Sequence, residues 1–408
     1  MKIWIKLLIG LIIGILLGIF VPSSWGGLFF DDAAQLSINI GRYIIFPLIF
    51  FSLIFGTYEL KLVGERYKTY GLMLLYLLAS TLLLVLIGII SVFLFFPKGI
   101  AIVPEEMEPI NVPGFKEIIL NIFPKNMFNA LIERGDFLLP VVVLALIFGM
   151  NLTFDKVITR PIVQLVDSLS RIFYHINSFI AELFPIGIIF ITASSVMKFT
   201  TIQDISIYFQ LIIILIIDLI IILFGVFPGI LYLFGEKKNP YKWLYAILGP
   251  ILIAFATGDE YISLSMLVKH GKENMIIPRK VGSIVYPMFA LFGRAGTALV
   301  TSVSFIVILS SSRTLDITII EVLWVIGFSF LVSLAISPVP GISAFAAISL
   351  LCNHFGSGMQ EMYLILKSIA PLLISFGVVL DVVTSSFVAF LITYREGIKV
   401  KIEARDFI

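Results

Sequence analysis

Charged residues stand inside long apolar stretches of this 408-residue chain, where a buried charge is costly and is therefore a candidate for function. Asp218 is the clearest case, because it lies near the middle of a run of isoleucine and leucine residues from 211 to 224. A carboxylate in that setting either pairs with a cation or carries a proton. The sequence leaves both interpretations open.

Two adjacent carboxylates, Asp259 and Glu260, follow Thr257-Gly258 at the centre of a second apolar segment. Glycine breaks a helix at such a point, and two carboxylates there need a cation, an amine or water. The alternative is that the segment is shallow and the pair simply faces water.

The stretch Gly293-Arg294-Ala295-Gly296-Thr297 interrupts a third apolar run. An unwound turn there exposes carbonyl groups and brings a guanidinium group into the interior. Because arginine binds carboxylates in a bidentate manner, Arg294 is expected either to hold a substrate carboxylate or to neutralise Asp259, Asp218 or Asp381.

Two prolines and a glycine interrupt a fourth run, in Ser337-Pro338-Val339-Pro340-Gly341-Ile342-Ser343. We expect a turn there, followed by a helix from about Ser343 whose free N–H groups bind an anion. A plain interhelical loop is the alternative.

In the last apolar run, Asp381 and Ser385 are four residues apart and share a helical face, with Thr384 beside them. A buried carboxylate next to hydroxyl groups suits an ammonium ligand. An ion pair with Arg294 is the other interpretation.

These residues lie within long apolar runs, which must position them. The composition of the chain indicates that the runs cross a membrane. The chain is 60% hydrophobic and 13% charged, with a mean hydropathy of +1.10 and a net charge of +2. This excludes a cytosolic enzyme, a nucleic-acid binder and a disordered chain. One cysteine (Cys352) and three dispersed histidines (His175, His270 and His354) argue against a disulfide framework or a metal cluster. The runs are 3–22, 37–60, 69–97, 137–153, 160–197, 204–235, 243–268, 281–310, 318–336, 340–352 and 362–394.

The distribution of positive charge predicts the topology. If 243–268 and 318–352 are re-entrant hairpins, one side of the membrane receives about three times as many lysines and arginines as the other. We therefore predict eight spans, two hairpins and both termini in the cytoplasm. An amphipathic piece from Phe115 to Leu131 is expected on the outer interface.

Four other charged residues receive structural interpretations. Arg42 and Lys367 stand near helix ends and are expected to extend their charges to the membrane surface. Asp167 and Arg171 are four residues apart, which predicts a local ion pair.

Several motifs, taken in order, give the chain a resemblance to the dicarboxylate/amino acid:cation symporter family, the glutamate transporter homologues, along nearly its whole length. They are Pro47-Leu48-Ile49-Phe50-Phe51-Ser52-Leu53-Ile54-Phe55-Gly56, Phe123-Pro124-Lys125-Asn126-Met127-Phe128-Asn129-Ala130-Leu131 followed by Leu139-Pro140 and Phe148-Gly149, Pro185-Ile186-Gly187-Ile188-Ile189, and Val339-Pro340-Gly341.

This resemblance implies an all-α integral membrane protein with eight transmembrane helices and two re-entrant helical hairpins. Helices 1–6 occupy 1–235, where helices 1, 2, 4 and 5 form a trimerisation scaffold and helices 3 and 6 belong to a mobile transport domain. The transport core, 236–408, comprises hairpin 1 (about 239–277), helix 7 (about 278–312), hairpin 2 (about 316–356), helix 8 (about 361–395) and a cytoplasmic tail.

The resemblance also implies the site residues. A substrate pocket is lined by Val339, Gly341, Ser343, Thr297, Asp381, Thr384 and Ser385, and Asp381 holds the substrate amine. The family's carboxylate-reading arginine is Thr384 here, which favours a neutral substrate unless Arg294 restores dicarboxylate binding.

Departures from the family pattern affect ion coupling. Gly293, Ala295, Val388 and Ile392 stand where the family has sodium ligands, and only Tyr76 and Ser80 remain of another sodium site. The chain has instead Asp218, Asp259 and Glu260 as candidates for ion or proton coupling, so proton-coupled or sodium-independent symport is favoured.

The resulting expectation is a secondary active transporter of a small amino acid or dicarboxylate. It is not an enzyme, and it has no cofactor, catalytic residue or confident metal site. A homotrimer in the plasma (cell inner) membrane, with H⁺ or Na⁺ as the coupling cation, is expected. The alternative is a non-transporting receptor or a passive anion path on the same fold.

Overall fold

The structure is a computed structural model of the chain. It describes residues 1–64, 66–95, 120, 122–132, 138–200, 205–234, 239–312, 317–335, 343–356, 358–395 and 407. These residues form helices and connecting turns, and no strand is present among them. The predicted all-α class is confirmed.

The described residues of the first half form eight α-helices and a single helical turn at Asn129–Ile132. A π-helical segment, Ile221–Val226, joins the last two of the eight without a break. The helices are α1 (Ile3–Phe20), α2 (Ser23–Tyr43), α3 (Ile45–Val63), α4 (Arg66–Phe95), α5 (Leu139–Asn151), α6 (Lys156–Thr200), α7 (Phe209–Ile220) and α8 (Phe227–Phe234).

The described residues of the second half form eight further α-helices, which range from 6 to 26 residues in length. They are α9 (Tyr241–Ala246), α10 (Leu248–Thr257), α11 (Glu260–Glu273), α12 (Arg279–Phe292), α13 (Ala295–Ser312), α14 (Ile319–Ala335), α15 (Ser343–Phe355) and α16 (Ala370–Arg395). The helical breaks expected at Gly258 and Gly293-Arg294 are both present, between α10 and α11 and between α12 and α13.

Small residues bring α1 against the long helix α6. A Cβ atom on Gly10 would lie 2.5 Å from the Pro185 carbonyl oxygen, and one on Gly14 would lie 2.6 Å from the Ile189 carbonyl oxygen. Spacing of four residues puts these glycines on one face of α1, so the two backbones pack in direct contact.

Two spans of the second half form the centre of the molecule. Arg279–Ser312 and Met362–Arg395 each have 94% of their most apolar window buried, against 28% for Ile3–Phe20. α13 packs between α4 and α16, and the α10–α11 hairpin packs against α16. The interrupted, polar part of the chain is therefore enclosed by the apolar helices.

Seven helical segments are long and apolar enough to cross a membrane within the described ranges. The expected span at 137–153 corresponds to α5, which has only 13 residues. A crossing needs about 20 residues, so the count of eight spans stays a prediction.

The expected span at 37–60 is the second part of a longer segment, Gly26–Val63. Part of the piece expected at 115–131 lies outside the described residues.

Candidate functional site

The turn between α10 and α11 forms the tip of a helical hairpin. Gly258 has a φ of +58°, the left-handed conformation that glycine adopts without a steric penalty. The Asp259 carboxylate accepts hydrogen bonds from the backbone N–H groups of Tyr261 (2.9 Å) and Ile262 (3.1 Å). Asp259 is thus the N-cap of α11, and the tip packs against Ile374 and Ser375 at the start of α16.

Asp259 is also bound by an arginine from the first half of the chain. Arg42, near the end of α2, places its Nε 2.6 Å and an Nη 2.5 Å from Asp259 Oδ2. The expectation that Arg42 only extends to the membrane surface is wrong. So is the alternative that the acidic pair faces water, because Asp259 and Glu260 are both buried.

Glu260 is paired with Arg294, at the break between α12 and α13. Both side chains are almost completely buried, with exposed fractions of 4% and 1%. Arg294 also lies within electrostatic range of Asp381 and Asp259. Asp259, Asp218 or Asp381 was the expected carboxylate partner of Arg294, and the observed ion pair with Glu260 corrects that expectation. Glu260 meets Arg294 because the hairpin tip reaches the level of the helix break.

Asp381 on α16 accepts hydrogen bonds from the first residues of α13. Its Oδ1 accepts from the N–H groups of Gly296 (2.6 Å) and Thr297 (3.3 Å), and its Oδ2 accepts from the Thr297 hydroxyl (2.7 Å). The carboxylate is 1% exposed. This arrangement brings together Asp381 and Thr297, two of the residues expected in the substrate pocket, and positions them by mutual hydrogen bonds.

A water-sized cavity of about 10 Å³ lies beside the ion pair. Glu260, Tyr286 and Ser385 are among its lining residues. The hydroxyl groups of Tyr286 and Ser385 are buried and make no hydrogen bond within the described part of the chain. A cavity of this size with several polar neighbours suits one water molecule.

The remaining expected pocket residues are distributed unevenly. Ser343 is the first described residue of α15 and is 1% exposed. The Thr384 hydroxyl donates to the Leu380 carbonyl (2.7 Å) within α16. Val339 and Gly341 lie outside the described residues.

Asp218 lies apart from the hairpin tip. It is fully buried on α7, and its Oδ2 accepts a hydrogen bond from the Ser91 hydroxyl on α4 (2.9 Å). Its Oδ1 has no hydrogen-bond partner among the described residues. The π-helical segment begins three residues later, and such segments frequently mark functional positions.

Tyr76 and Ser80 line a separate cavity of about 250 Å³, enclosed also by Phe227, Phe387 and Arg395. The Arg395 guanidinium lies 5.6 Å from the centroid of the Tyr76 ring. The Ser80 hydroxyl donates to the Leu77 carbonyl (3.1 Å). These two residues are therefore placed together, but in a different cavity from the hairpin tip.

Three contributors to the site were missed from the sequence. Arg42 was assigned a surface role, although an arginine in an apolar run is a functional candidate by default. Ser91 and Tyr286 carry ordinary hydroxyl groups within helical patterns and gave no signal of their own.

The geometry therefore consists of a helical hairpin whose two tip carboxylates are bound by arginines from different helices, next to a broken helix capped by a third carboxylate. Residues 3–394 match the model of the family described as "Sodium:dicarboxylate symporter family". The chain belongs to this family. The expected resemblance is confirmed, and the family consists of transporters rather than enzymes.

Similar proteins within the family differ in their named substrates. The chain is 21% identical to a proton/sodium-glutamate symport protein of Geobacillus stearothermophilus over 321 residues, covering 76% of this chain and 74% of the relative. It is 25% identical to the neutral amino acid transporter B(0) of Oryctolagus cuniculus over 355 residues, covering 77% of this chain and 64% of the relative. A proton/glutamate-aspartate symporter of Bacillus subtilis is 28% identical over 229 residues, 56% of this chain and 54% of the relative.

Membership in this family and the apolar helices identify the chain as an integral, multi-pass membrane protein of the symporter class. The low identities mark it as a divergent member.

Proposed function

We propose that the chain is a secondary active transporter that carries a small amino acid or a dicarboxylate across the cell inner membrane by alternating access. The family and the named activities of the similar glutamate symporters and neutral amino acid transporters support this function. Both termini are cytoplasmic and the functional unit is a trimer in this proposal. Domain boundaries are those given above, with α10–α16 in the transport core.

Substrate binding is assigned to the polar groups around the broken helix. Asp381 receives the substrate ammonium together with the hydroxyl groups of Thr384 and Ser385. The N-terminus of α15 at Ser343 receives the carboxylate, because free helical N–H groups favour an anion. Val339 and Gly341 complete the pocket, and Arg294 reads a second carboxylate when the substrate is acidic.

The coupling ion is a proton, or transport is sodium-independent. The observation that supports this most directly is the buried ion pair between Glu260 and Arg294. In this proposal, a proton on Glu260 removes the negative charge that holds the ion pair, and Arg294 becomes free to bind the substrate. Proton release then restores it. Asp218, Asp259, Tyr76 and Ser80 are the other candidates for ion or proton coupling.

The test is uptake into proteoliposomes driven by a sodium gradient alone and then by a proton gradient alone. We expect concentrative uptake only with the proton gradient, or uptake that is indifferent to sodium. Concentrative uptake driven only by sodium contradicts the proposed coupling.

Glu260→Gln imitates the protonated side chain and should abolish proton-driven accumulation while substrate exchange continues. Glu182→Gln is the matched control, because Glu182 also accepts from a cation, Lys269 (2.8 Å), away from the hairpin tip. A melting curve shows that each variant folds. Equal accumulation by Glu260→Gln and by the unaltered protein removes Glu260 from the coupling mechanism, and Asp218→Asn then tests the second carboxylate.

A further inference from the structure

A cavity of about 490 Å³ lies between α3, α6, α11 and α12, on the side of the hairpin away from its tip. This volume is typical of a small-molecule site. Tyr286 lines both this cavity and the water-sized cavity at Glu260. The larger cavity is not part of the substrate or coupling site described above.

The wall of this cavity carries an excess of positive charge. Arg171, Lys272 and Arg279 line it together with His175, and none of its lining residues is a carboxylate. Asp167, outside the wall, accepts from Arg171 (3.2 Å) and also binds Arg279.

Glu273, the other nearby carboxylate, accepts a hydrogen bond from the Tyr174 hydroxyl (2.8 Å) and also stands outside the wall. The three cations therefore have two carboxylates nearby, and neither carboxylate lines the cavity.

Lys272 shows the effect of the neighbouring positive charges. Its ammonium lies 3.7 Å from the centroid of the Tyr174 ring. Burial lowers the pKa of Lys272, Glu273 opposes that shift, and the cations Arg279 and Arg171 lower it further. An anion in the cavity would relieve the repulsion among these cations.

The opposite wall is apolar and includes Leu48, Ile49 and Leu264. Beside Arg171 and His175, a stripe of exposed apolar side chains runs along α6. These residues are spaced by four and three positions, so they share one face: Ile172, Ile176, Phe179, Leu183 and Ile186. On a membrane-spanning helix, such a face contacts either lipid chains or a neighbouring subunit of the proposed trimer, and the cationic cavity beside it favours a lipid.

We propose that this cavity binds the phosphate headgroup of an anionic phospholipid, whose acyl chain lies along the exposed stripe of α6. The cations supply the charge complementarity that a phosphate needs, and the stripe starts at Ile172, the residue after Arg171 in the cavity wall. Binding of the lipid does not depend on the proposed transport function.

Thermal unfolding of the purified full chain in mild detergent tests the proposal. We expect dioleoyl phosphatidylglycerol to raise the melting temperature and dioleoyl phosphatidylcholine to leave it unchanged. Inorganic phosphate at millimolar concentration should neither stabilise the protein nor displace the lipid, because it lacks the acyl chain. Stabilisation by both lipids, or displacement by phosphate, overturns the proposal.

Charge-neutralising variants locate the site. Arg171→Gln/Lys272→Gln should weaken the apparent affinity for phosphatidylglycerol by about 30-fold, since each cation near a membrane surface contributes about a factor of five. Lys156→Gln/Arg160→Gln makes the same charge change on α6 outside the cavity and should preserve the affinity. If the double variant does not fold, Lys272→Gln alone, with an expected loss of about five-fold, replaces it. Equal losses in the cavity and control variants show general surface attraction and overturn the assignment.

Discussion

At the scale of single residues, Asp381 is a structural cap in addition to its proposed role in substrate binding. Its two carboxylate oxygens accept three hydrogen bonds from the first residues of α13. A substitution there changes both the positioning of the broken helix and the charge available to a substrate amine. Asp381→Asn is therefore expected to affect stability as well as uptake.

We predict that Asp381→Asn abolishes uptake and lowers the free energy of unfolding by about 1 kcal/mol, as for the loss of a helix cap. The NH₂ group of the asparagine is a donor, so it cannot accept the hydrogen bond that the replaced carboxylate oxygen accepted. Thr297→Val is the control, since it removes one donor of the same cap and keeps the negative charge. Similar uptake by Asp381→Asn and the unaltered protein would leave Asp381 with the structural role only.

At the scale of helices, the contact between α1 and α6 depends on glycine. Gly14→Ala places a Cβ atom 2.6 Å from a backbone carbonyl oxygen and 2.8 Å from the Thr192 Cβ. We predict that the helices separate and that the protein loses about 1–3 kcal/mol of stability, as in overpacked interiors. Thermal unfolding in detergent measures this loss.

Gly27→Ala is the matched control, because a Cβ atom at Gly27 of α2 meets nothing within 4 Å. Alanine has a higher helix propensity than glycine, so this variant should be neutral or slightly stabilising. Comparable losses in the two variants would show that backbone contact is not the cause.

The ion pair between Arg42 and Asp259 joins α2, in the proposed scaffold, to α11, in the proposed transport core. If the core moves relative to the scaffold, this contact exists in only some conformations and stabilises those. We predict that Arg42→Gln increases labelling of a cysteine introduced at Ala256, next to the hairpin tip, in a Cys352→Ser background. Asp259→Asn should give the same increase, because the amide keeps the N-cap but loses the charge.

The double variant Arg42→Gln/Asp259→Asn distinguishes the ion pair from two separate effects. If the pair is the cause, labelling in the double variant equals that in either single variant. Additive increases would mean that the two residues act independently.

The sequence predicts the positions of the helices better than it predicts which charged residues form ion pairs. Long apolar runs and glycine breaks depend on local composition, so the breaks at Gly258 and Gly293 and the burial of Asp218 were correctly anticipated. The partner of Arg294 was not, because Asp259, Glu260 and Asp381 are all plausible carboxylates along the chain. Only the packing of the hairpin against α2 and α12 decides that Arg42 takes Asp259 and Arg294 takes Glu260.

At the scale of the whole molecule, the orientation in the membrane remains a prediction from the distribution of charge. We predict that alkaline phosphatase fused after Arg395 is inactive and that the same enzyme fused after Asn129 is active, since phosphatase folds only outside the cytoplasm. A green fluorescent protein fused at each point should give the opposite pattern. An active phosphatase at Arg395 would reverse the assignment of both termini.

The buried ion pair between Glu260 and Arg294 also has a consequence for the insertion of the chain into the membrane during synthesis. The segment Arg279–Ser312 is the least apolar of the seven spans, and a translocon releases segments into lipid according to their apolarity. Arg294 reaches the membrane before Asp381 has been translated, whereas Glu260 has already been made. Glu260, its partner in the folded protein, is therefore available to pair with Arg294 as this segment enters the membrane, whereas Asp381 is not.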